Sequence, residues 1–315
     1  MRSGEVIQSV LSPAGAQAAN IYHLWSVMLL VATVVFALTM ALVVFALVHG
    51  IRGDAPSSER TLRRAVYVAL ALTVAILIGL LIDSIWTGRN IASLHASSAL
   101  TIEVTGHQWW WEITYDDTVA SRRVTTANEI HLPIGRPVVF KVTSRDVIHS
   151  FWVPNLHGKR DLIPGYITAI WLQADRAGTF RGQCAEFCGL QHAHMGFDVV
   201  AEPDADFVRW LDGRRQPARP PDSALEQRGH DVFMANRCAG CHTVQGTAAH
   251  GQVAPDLTHL ATRLTIGAGT LPNTSEHLRA WVQDPQASKP GNQMPPNPLP
   301  PDDLEALLAY LETLR

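Results

Sequence analysis

Charged residues are scarce in this sequence of 315 residues. They make up 17% of the chain, against about 25% in a typical soluble protein. Because apolar residues stand at an ordinary 47%, the shortage must come from long segments with almost no charge, which favours a membrane protein. The net charge is only -3 and no block of lysine and arginine stands out, which argues against nucleic acid as a partner.

Cysteine is also rare, with four residues in two close pairs, Cys184/Cys188 and Cys238/Cys241. The spacing of these pairs differs from the repeated Cys-x-x-Cys pattern of a zinc ribbon. The residues around each pair must decide between disulfides and redox cofactors. Both pairs stand near histidine and methionine residues.

Two long uncharged runs explain the missing charge. Residues 24–48 carry no charge, and about 20 apolar residues are enough to cross the hydrocarbon core of a bilayer. Residues 65–82 are equally uncharged, and we place the second span at about 65–86. The sequence therefore predicts an N-terminal tail and a transmembrane helix hairpin over residues 1–95.

The distribution of arginine predicts the orientation of this hairpin. The segment between the spans contains four arginines: Arg52, Arg60, Arg63 and Arg64. Since basic residues favour the cytoplasmic side, everything after Trp86 is expected on the periplasmic side of a bacterial inner membrane, together with the N-terminal tail. Residues 1–20 lack the basic and apolar regions of a cleavable signal peptide, so the first span is expected to act as the targeting element.

Beyond the spans, short apolar runs alternate with polar residues and are broken by glycine, proline and aspartate. This pattern predicts a β-sandwich or barrel over residues 96–212, with strands in TIEVTGHQWWWEITY, NEIHLPI, RPVVFKVTS, YITAIWLQA and MGFDVVAE. Residues 213–222 are dense in arginine and proline, which predicts a stiff, solvated linker.

The last segment, 223–315, is predicted to be helical at both ends. Ser223 and Glu226 form a capping-box pattern that starts a helix. Four leucines between positions 304 and 311 share one face of a second helix. The long stretch of loops and turns between these helices leaves a thin core, which suggests a large buried cofactor.

Cys238-Ala-Gly-Cys241-His242 is the Cys-x-x-Cys-His pattern of covalent haem attachment. The two thiols form thioethers with the porphyrin, and the adjacent imidazole binds the iron. A thioredoxin-like Cys-x-x-Cys pair is the rival interpretation, but the flanking pattern is not βαβ and the histidine would have no role.

For the sixth iron ligand we predict Met294, which lies in a proline-rich segment that would hold a weak thioether ligand in place. Ligation by histidine and methionine raises the iron potential, which suits electron transfer. The alternatives are Met294 as a surface residue and Met234, which better fits the core of the first helix. Residues 223–315 resemble a class I cytochrome c domain along their whole length. Gly229 and Phe233 in the first helix and Tyr310 in the last match the crossing of the terminal helices in that family.

A second set of soft ligands lies in the β domain. Within twelve residues the sequence places two thiols, an imidazole and a thioether: Cys184, Cys188, His192 and Met195. Soft sulfur with imidazole favours copper over harder ions, and His149, after a predicted strand, supplies a further imidazole. A mononuclear site would leave one thiol unpaired, and a disulfide between the two cysteines is the alternative in an oxidising compartment.

These residues resemble the binuclear copper A centre of cytochrome c oxidase subunit II, whose pattern is H-S-F/W followed by C-x-E-x-C-G-x-x-H-x-x-M. The resemblance extends from the helix hairpin through Asp212. It implies that two copper ions are bound by six residues: His149, Cys184, Glu186 through its backbone carbonyl, Cys188, His192 and Met195. His194 has the wrong phase in this pattern and is expected on the surface.

The resemblance also singles out residues outside the copper ligands. Trp109 matches the aromatic residue through which electrons reach copper A from a docked cytochrome, although a run of tryptophans more often marks a membrane interface or a core strand. Asp161 and the Glu186 side chain match residues that help to hold a magnesium ion beside the catalytic subunit. Both acids fit a solvated surface equally well.

Histidine is almost missing from the spans, where only His23 and His49 stand, at the edges. The chain therefore lacks the ligands for a membrane-buried haem and copper pair that reduces oxygen, and this chemistry must belong to a partner. Together with the resemblance, this predicts a membrane-anchored protein in three parts: a two-helix transmembrane hairpin, a β-sandwich cupredoxin domain and an all-α class I cytochrome c domain.

This arrangement resembles subunit II of caa-type haem–copper oxidases. The resemblance implies electron transfer from a cytochrome c or other respiratory donor, through haem c and copper A, to catalytic subunit I, which reduces oxygen to water and pumps protons. Subunit III and membrane lipid are further implied partners. Two alternatives stay open: the equivalent subunit of a copper-A-dependent nitric oxide reductase, and a membrane-anchored copper chaperone with a redox domain.

Overall fold

The computed structural model describes residues 6–51, 58–92 and 100–315. The domain boundary predicted at residue 95 lies outside these ranges, as does Arg52 of the predicted cytoplasmic loop. The chain falls into two compact units, of which the smaller is Gln17–Leu94 and the larger contains the remaining residues.

The smaller unit consists of two long apolar helices, α1 (Ala16–Ile51) and α2 (Glu59–Ala92). Both are long and apolar enough to cross a membrane. They extend beyond the uncharged runs, because the polar residues at the ends of each run continue the same helix. Large apolar side chains such as those of Leu42 and Leu72 are exposed along both helices, as expected of helices surrounded by lipid.

The larger unit contains a sandwich of ten strands: β1 (Leu100–His107), β2 (Trp110–Tyr115), β3 (Val124–Ala127), β4 (Glu129–Pro133), β5 (Val138–Ser144), β6 (His149–Trp152), β7 (Arg160–Leu162), β8 (Thr168–Leu172), β9 (Gly178–Cys184) and β10 (Gly196–Glu202). They form two five-stranded sheets with the orders β3-β2-β1-β5-β8 and β4-β10-β9-β6-β7. The Phe197 ring packs in the core between the sheets, with its centroid 5.2 Å from that of Trp111 and 4.9 Å from that of Phe151. The predicted β-sandwich is confirmed.

The N-terminal tail belongs to this sandwich. Ile7 forms a parallel bridge with Phe180 in β9, because its N–H donates to the Thr179 carbonyl and its own carbonyl accepts from Arg181, both at 2.9 Å. The tail is therefore part of the larger unit, together with the sandwich.

The C-terminal part is mainly helical, with α3 (Asp204–Arg214), α4 (Ala224–Ala235), α5 (Cys238–Cys241), the ribbon β11 (Thr265–Ile266) and β12 (Leu271–Pro272), α6 (Ser275–Gln283), α7 (Pro285–Ser288) and α8 (Pro301–Leu311). The Ser223 hydroxyl accepts a hydrogen bond of 3.1 Å from the Glu226 backbone, so the predicted helix start is confirmed. The Glu226 carboxylate accepts from the Asp222 backbone at 2.8 Å, one residue before the position that a capping box uses. Helix α6 lies in the stretch predicted as loops and turns.

The crossing of α4 and α8 organises this helical domain. A side-chain carbon at Gly229 would collide with the Ala306 carbonyl group, so only glycine lets the two helices approach this closely. One turn further along α4, the Phe233 ring meets that of Tyr310 edge to face at 5.8 Å. The structure thus confirms the predicted contact between Gly229 and Tyr310.

The segment predicted as a linker, 213–222, begins inside the last turn of α3. It also packs on the helical domain, since Ala218 is buried and its N–H donates to the Gln245 carbonyl at 2.9 Å. This differs from a fully solvated linker, because small apolar residues between the charged ones can reach the domain core.

The helical domain packs against the sandwich through buried polar contacts. Asp198 in β10 accepts hydrogen bonds from Arg181 at 3.0 Å and from Thr265 at 2.8 Å. The Glu129 carboxylate accepts from the Leu264 backbone at 3.1 Å. These contacts join the sandwich and the helical domain in one compact unit.

Candidate copper and haem sites

The two cysteines of the sandwich lie side by side in its interior. Cys184 ends β9, Cys188 follows in the next loop, and both are free thiols with at most 3% exposure. Their Sγ atoms are 3.8 Å apart. The contact between the two sulfur atoms lowers the pKa of Cys184 well below its usual range and raises that of Cys188. The lowered pKa favours the thiolate form of Cys184, which is the form that binds a metal ion.

Two imidazoles approach this pair from different elements. His149 begins β6 and is fully buried, with its Nδ1 atom 3.8 Å from the Cys184 Sγ. His192 lies in the loop after β9, with its Nδ1 atom 3.6 Å from the Cys188 Sγ. Ligand atoms of His149 and both cysteines lie within 4.8 Å of one another.

Two weaker ligands complete the set. The Met195 Sδ lies 3.8 Å from the Cys188 Sγ, and the Glu186 carbonyl oxygen lies 3.2 Å from the Cys184 Sγ. The structure thus brings all six predicted copper ligands together. Thiolate, imidazole and thioether are the donors that copper prefers, so this donor set fits the metal that the sequence predicts.

Sequence reasoning missed Asp146, which orients a ligand. Its carboxylate accepts a hydrogen bond of 2.8 Å from the Nε2 atom of His149 and another of 2.6 Å from the Gln108 backbone. Because Nε2 carries the proton, Nδ1 is free to bind a metal. The sequence feature that could have indicated this role is the position of an acidic residue, Asp146, three residues before His149.

The haem motif lies at the start of the helical domain. Cys238 and Cys241 are one turn apart in α5, and both thiols are free. The Nδ1 atom of His242 donates to the Pro255 carbonyl at 2.7 Å, which leaves Nε2 free for iron. The Met294 backbone is held by Gln286 and Asn292, both at 2.8 Å.

An arginine supports the fit of a haem to this domain. Among the described residues, the buried Nε atom of Arg263 has no hydrogen-bond partner, although its Nη2 donates to the Asp256 carbonyl. An unpaired N–H of a cation is rare in a protein interior, and the carboxylate of a haem is the type of group that would pair with it.

The three tryptophans have different surroundings. The Trp109 indole donates to the Cys188 carbonyl at 2.9 Å, so it contacts the loop of copper ligands. Trp110 stacks on His107 at 4.3 Å. Trp111 is fully buried in the core, which is the core-strand role that the sequence left open for this run.

The predicted magnesium ligands are placed on the surface. Asp161 lies in β7 and Glu186 in the loop after β9, and both side chains are exposed. In the part of the chain that the structure describes, one group of three histidine, cysteine or acidic residues is close enough to hold a metal ion: His149, Cys184 and Cys188. It does not include Asp161 or the Glu186 carboxylate. Magnesium binding stays a prediction. His194 is exposed, as expected.

The fold and the ligand sets define a membrane-anchored protein with a copper-binding sandwich domain and a haem-binding helical domain. Residues 118–202 match the family described as cytochrome c oxidase subunit II, periplasmic domain. Residues 226–315 match the cytochrome c family. The chain therefore combines a subunit II periplasmic domain with a C-terminal cytochrome c domain, as the resemblance implied.

Relatives with similar sequences carry the same family name. Cytochrome c oxidase subunit 2 of Alkalihalophilus pseudofirmus is 41% identical over 68% of this chain and 61% of its own length, so the match spans less than two thirds of that relative. The subunit 2 of Bacillus sp. is 29% identical over 78% of this chain and 72% of its own length. A solved periplasmic domain of subunit II from Bradyrhizobium japonicum is 31% identical and covers 38% of this chain and 96% of that one, with a TM-score of 0.36.

Proposed function

We propose that this chain is the subunit of a respiratory haem–copper oxidase that accepts electrons from a cytochrome c-type donor. It delivers them to catalytic subunit I, which reduces oxygen to water and pumps protons. One observation supports the proposal: the six residues predicted to bind copper lie together in a domain of the subunit II family, on a chain that also holds a haem-attachment motif.

When bound, haem c and copper A would supply two one-electron centres. Cys184, Cys188, His149 and His192 would hold the copper through two thiolates and two imidazoles. The partly buried Asp146 keeps the His149 ring in a fixed orientation, because its carboxylate accepts a hydrogen bond from Nε2.

Four residues of the helical domain would hold the haem: Cys238, Cys241, His242 and Met294. The two thiols would attach the porphyrin, and the hydrogen bond from His242 to the Pro255 carbonyl orients the imidazole for iron. Trp109 contacts both the copper loop and the helical domain, which makes it the residue that links the two sites.

The partners follow from this role. The apolar helices anchor the chain in the inner membrane, with the sandwich and the helical domain on the periplasmic side, next to subunits I and III. Exposed Asp161 and Glu186 are proposed to complete a shared magnesium site only when the catalytic subunit is present, since both side chains face solvent here.

Metal analysis of the full-length protein, purified in detergent, tests the assignment. We expect two copper atoms and one covalent haem per chain. The variant Cys184→Ser should lose copper and keep the haem, whereas Cys238→Ser should disturb the haem attachment and keep copper. A copper-to-haem ratio near one in the unchanged protein would contradict the binuclear centre. Copurification of the catalytic subunit, with oxygen consumption on reduced cytochrome c, tests the complex.

A further inference from the structure

A lysine of the helical domain ends inside the boundary with the sandwich. Lys289 follows α7 and is only 2% exposed. Its Nζ atom donates to three backbone carbonyls, those of Trp109 and His194 at 2.7 Å and that of Gly267 at 2.9 Å. Two of these carbonyls belong to the sandwich and one to the helical domain.

Burying an ammonium group is costly unless its donors are satisfied, and a lysine has three N–H donors. All three are used here, each by a different segment of the chain. Burial also lowers the pKa of Lys289 to about 7, because the charged ammonium group is less well solvated in the protein interior than in water. An apolar side chain would fill this space at lower cost, but only three directed hydrogen bonds define a single relative position of the three segments.

Two of these three segments lie next to the predicted copper ligands. Trp109 donates to the Cys188 carbonyl, and His194 stands between the copper ligands His192 and Met195 in the chain. The Lys289 head group therefore fixes the backbone on two sides of the copper loop.

On the haem side, Lys289 begins the segment 289–294, which ends at the predicted iron ligand. Gln191 of the copper loop donates to the Pro290 carbonyl at 2.7 Å. The backbone of Gly291 lies against the Trp109 ring, since a Cβ atom there would be 3.9 Å from the ring. Gln286 then ties the far end of the segment by donating to the Met294 carbonyl at 2.8 Å.

We infer that Lys289 is a positioning residue for electron transfer between the two domains: its three hydrogen bonds hold the segment 289–294 against Trp109. The inference rests on the proposed function. A single electron passes from the haem domain to the copper domain, and no bond is made or broken at Lys289. The lysine acts by fixing the distance between the sites, on which the rate depends.

The test is Lys289→Met in the full-length protein, because methionine is similar in length but donates no hydrogen bond. The haem is reduced by a flash-activated soluble reductant, and electron arrival is followed at the copper absorption. We expect the intramolecular rate to fall about tenfold or more, since small displacements of reacting groups have effects of this size. Haem potential, copper spectrum and metal content should not change.

Solvent viscosity distinguishes positioning from a general loss of structure. In the unchanged protein the rate should not depend on viscosity, because the domains are already in place. In Lys289→Met it should fall as glycerol is added, because the helical domain must search for its position. The matched control is Lys141→Met, which removes an exposed lysine that pairs with Glu103 and Asp116 at 3.7 Å, and its rate should equal that of the unchanged protein.

An unaltered, viscosity-independent rate in Lys289→Met overturns the inference and leaves the proposed function intact. Absence of transfer in the unchanged, fully loaded protein overturns the proposed function itself. If Lys289→Met does not accumulate, Lys289→Gln is measured in its place. Glutamine keeps two donors, and the same criteria of rate and viscosity decide.

Discussion

The indole N–H of Trp109 donates a 2.9 Å hydrogen bond to the backbone carbonyl of Cys188. The Gln108 side-chain amide donates to the same oxygen at 2.7 Å. The Cys188 carbonyl is thus held by two neighbouring residues, Gln108 and Trp109, which lie between β1 and β2. Two roles are open for Trp109: an anchor at the membrane interface or a link between the redox sites. Its hydrogen bond to the copper loop favours the second role.

Replacing Trp109 with alanine should slow electron transfer from the haem to copper, because the variant removes the group that lies between the domains and spares every ligand. We expect intact haem and copper spectra with a rate reduced about tenfold or more. Trp109→Phe keeps a ring but no indole N–H and should be less affected. Flash-induced reduction of the haem provides the measurement.

Trp110→Ala is the control, since this neighbour stacks on His107 and does not contact the copper loop through its indole. An unchanged transfer rate in well-folded Trp109→Ala, accompanied by low yield in the membrane, would assign Trp109 to the membrane interface instead.

Met294→Leu should keep the haem attached but lower its reduction potential. Attachment depends on Cys238 and Cys241, whereas the thioether ligand favours ferrous iron. A redox titration followed at the haem absorption measures the potential, and pyridine haemochrome measures attachment. Met234→Leu is the control, because Met234 packs against the core of α4 and α8. Unchanged potential and low-spin spectrum in Met294→Leu would show that another residue is the sixth ligand.

A buried histidine should make the stability of the sandwich depend on pH. His131 lies between Glu202 at 2.7 Å and Glu129 at 3.3 Å. Burial opposes its charge, but the two hydrogen bonds outweigh that effect and raise the pKa of His131 above its usual value. Protonated His131 therefore stabilises the fold. This contribution is complete below about pH 6.5, the usual pKa of an unfolded histidine, and it is lost as the pH rises through the pKa of His131 in the folded protein.

We therefore expect thermal unfolding at a lower temperature as the pH is raised above 6.5, and a weaker pH dependence in His131→Gln. That variant should also be destabilised by about 3 kcal/mol at pH 6, because it leaves buried carboxylates without a charged partner. His194→Gln changes an exposed histidine and serves as the control. Equal pH dependence in both variants would remove His131 from this role.

Gly229→Ala should destabilise the helical domain and spare the copper site. The added carbon would meet the Ala306 carbonyl group at the crossing of α4 and α8, and overpacking of this kind costs about 1–3 kcal/mol. Denaturant unfolding followed at the haem absorption should show the loss. Gly213→Ala lies outside the haem motif and has open space around the added carbon, so its midpoint should stay unchanged.

The sequence predicts most of this organisation because its strongest signals are local. Cys184, Cys188, His192 and Met195 stand within twelve residues, and the Cys-x-x-Cys-His motif is continuous. Long apolar runs and alternating strands are equally visible along the chain. The convergence of His149 on the cysteines needs the pairing of β6 with β9, and the sequence reaches it only through the family resemblance.

Other features depend on contacts between distant segments. Strand β9 contains two glycines and an arginine, so its alternation is weak, and its strand character comes from pairing with β10. Lys289 reads as a surface residue in a polar segment, yet the packing of two domains buries it. The role of Asp146 likewise becomes visible only when the His149 ring is placed beside it.

The bridge between Ile7 and Phe180 also closes an open strand edge. Strand β6 pairs with β9 only near Cys184 and Gln183, and Ile7 takes up the Thr179 carbonyl and the Arg181 N–H further along the same side. Unpaired backbone groups on such an edge are a template for strands of other molecules. The N-terminal tail therefore covers part of the edge of β9, the strand that ends at Cys184, and leaves fewer of its backbone groups free to pair with another strand.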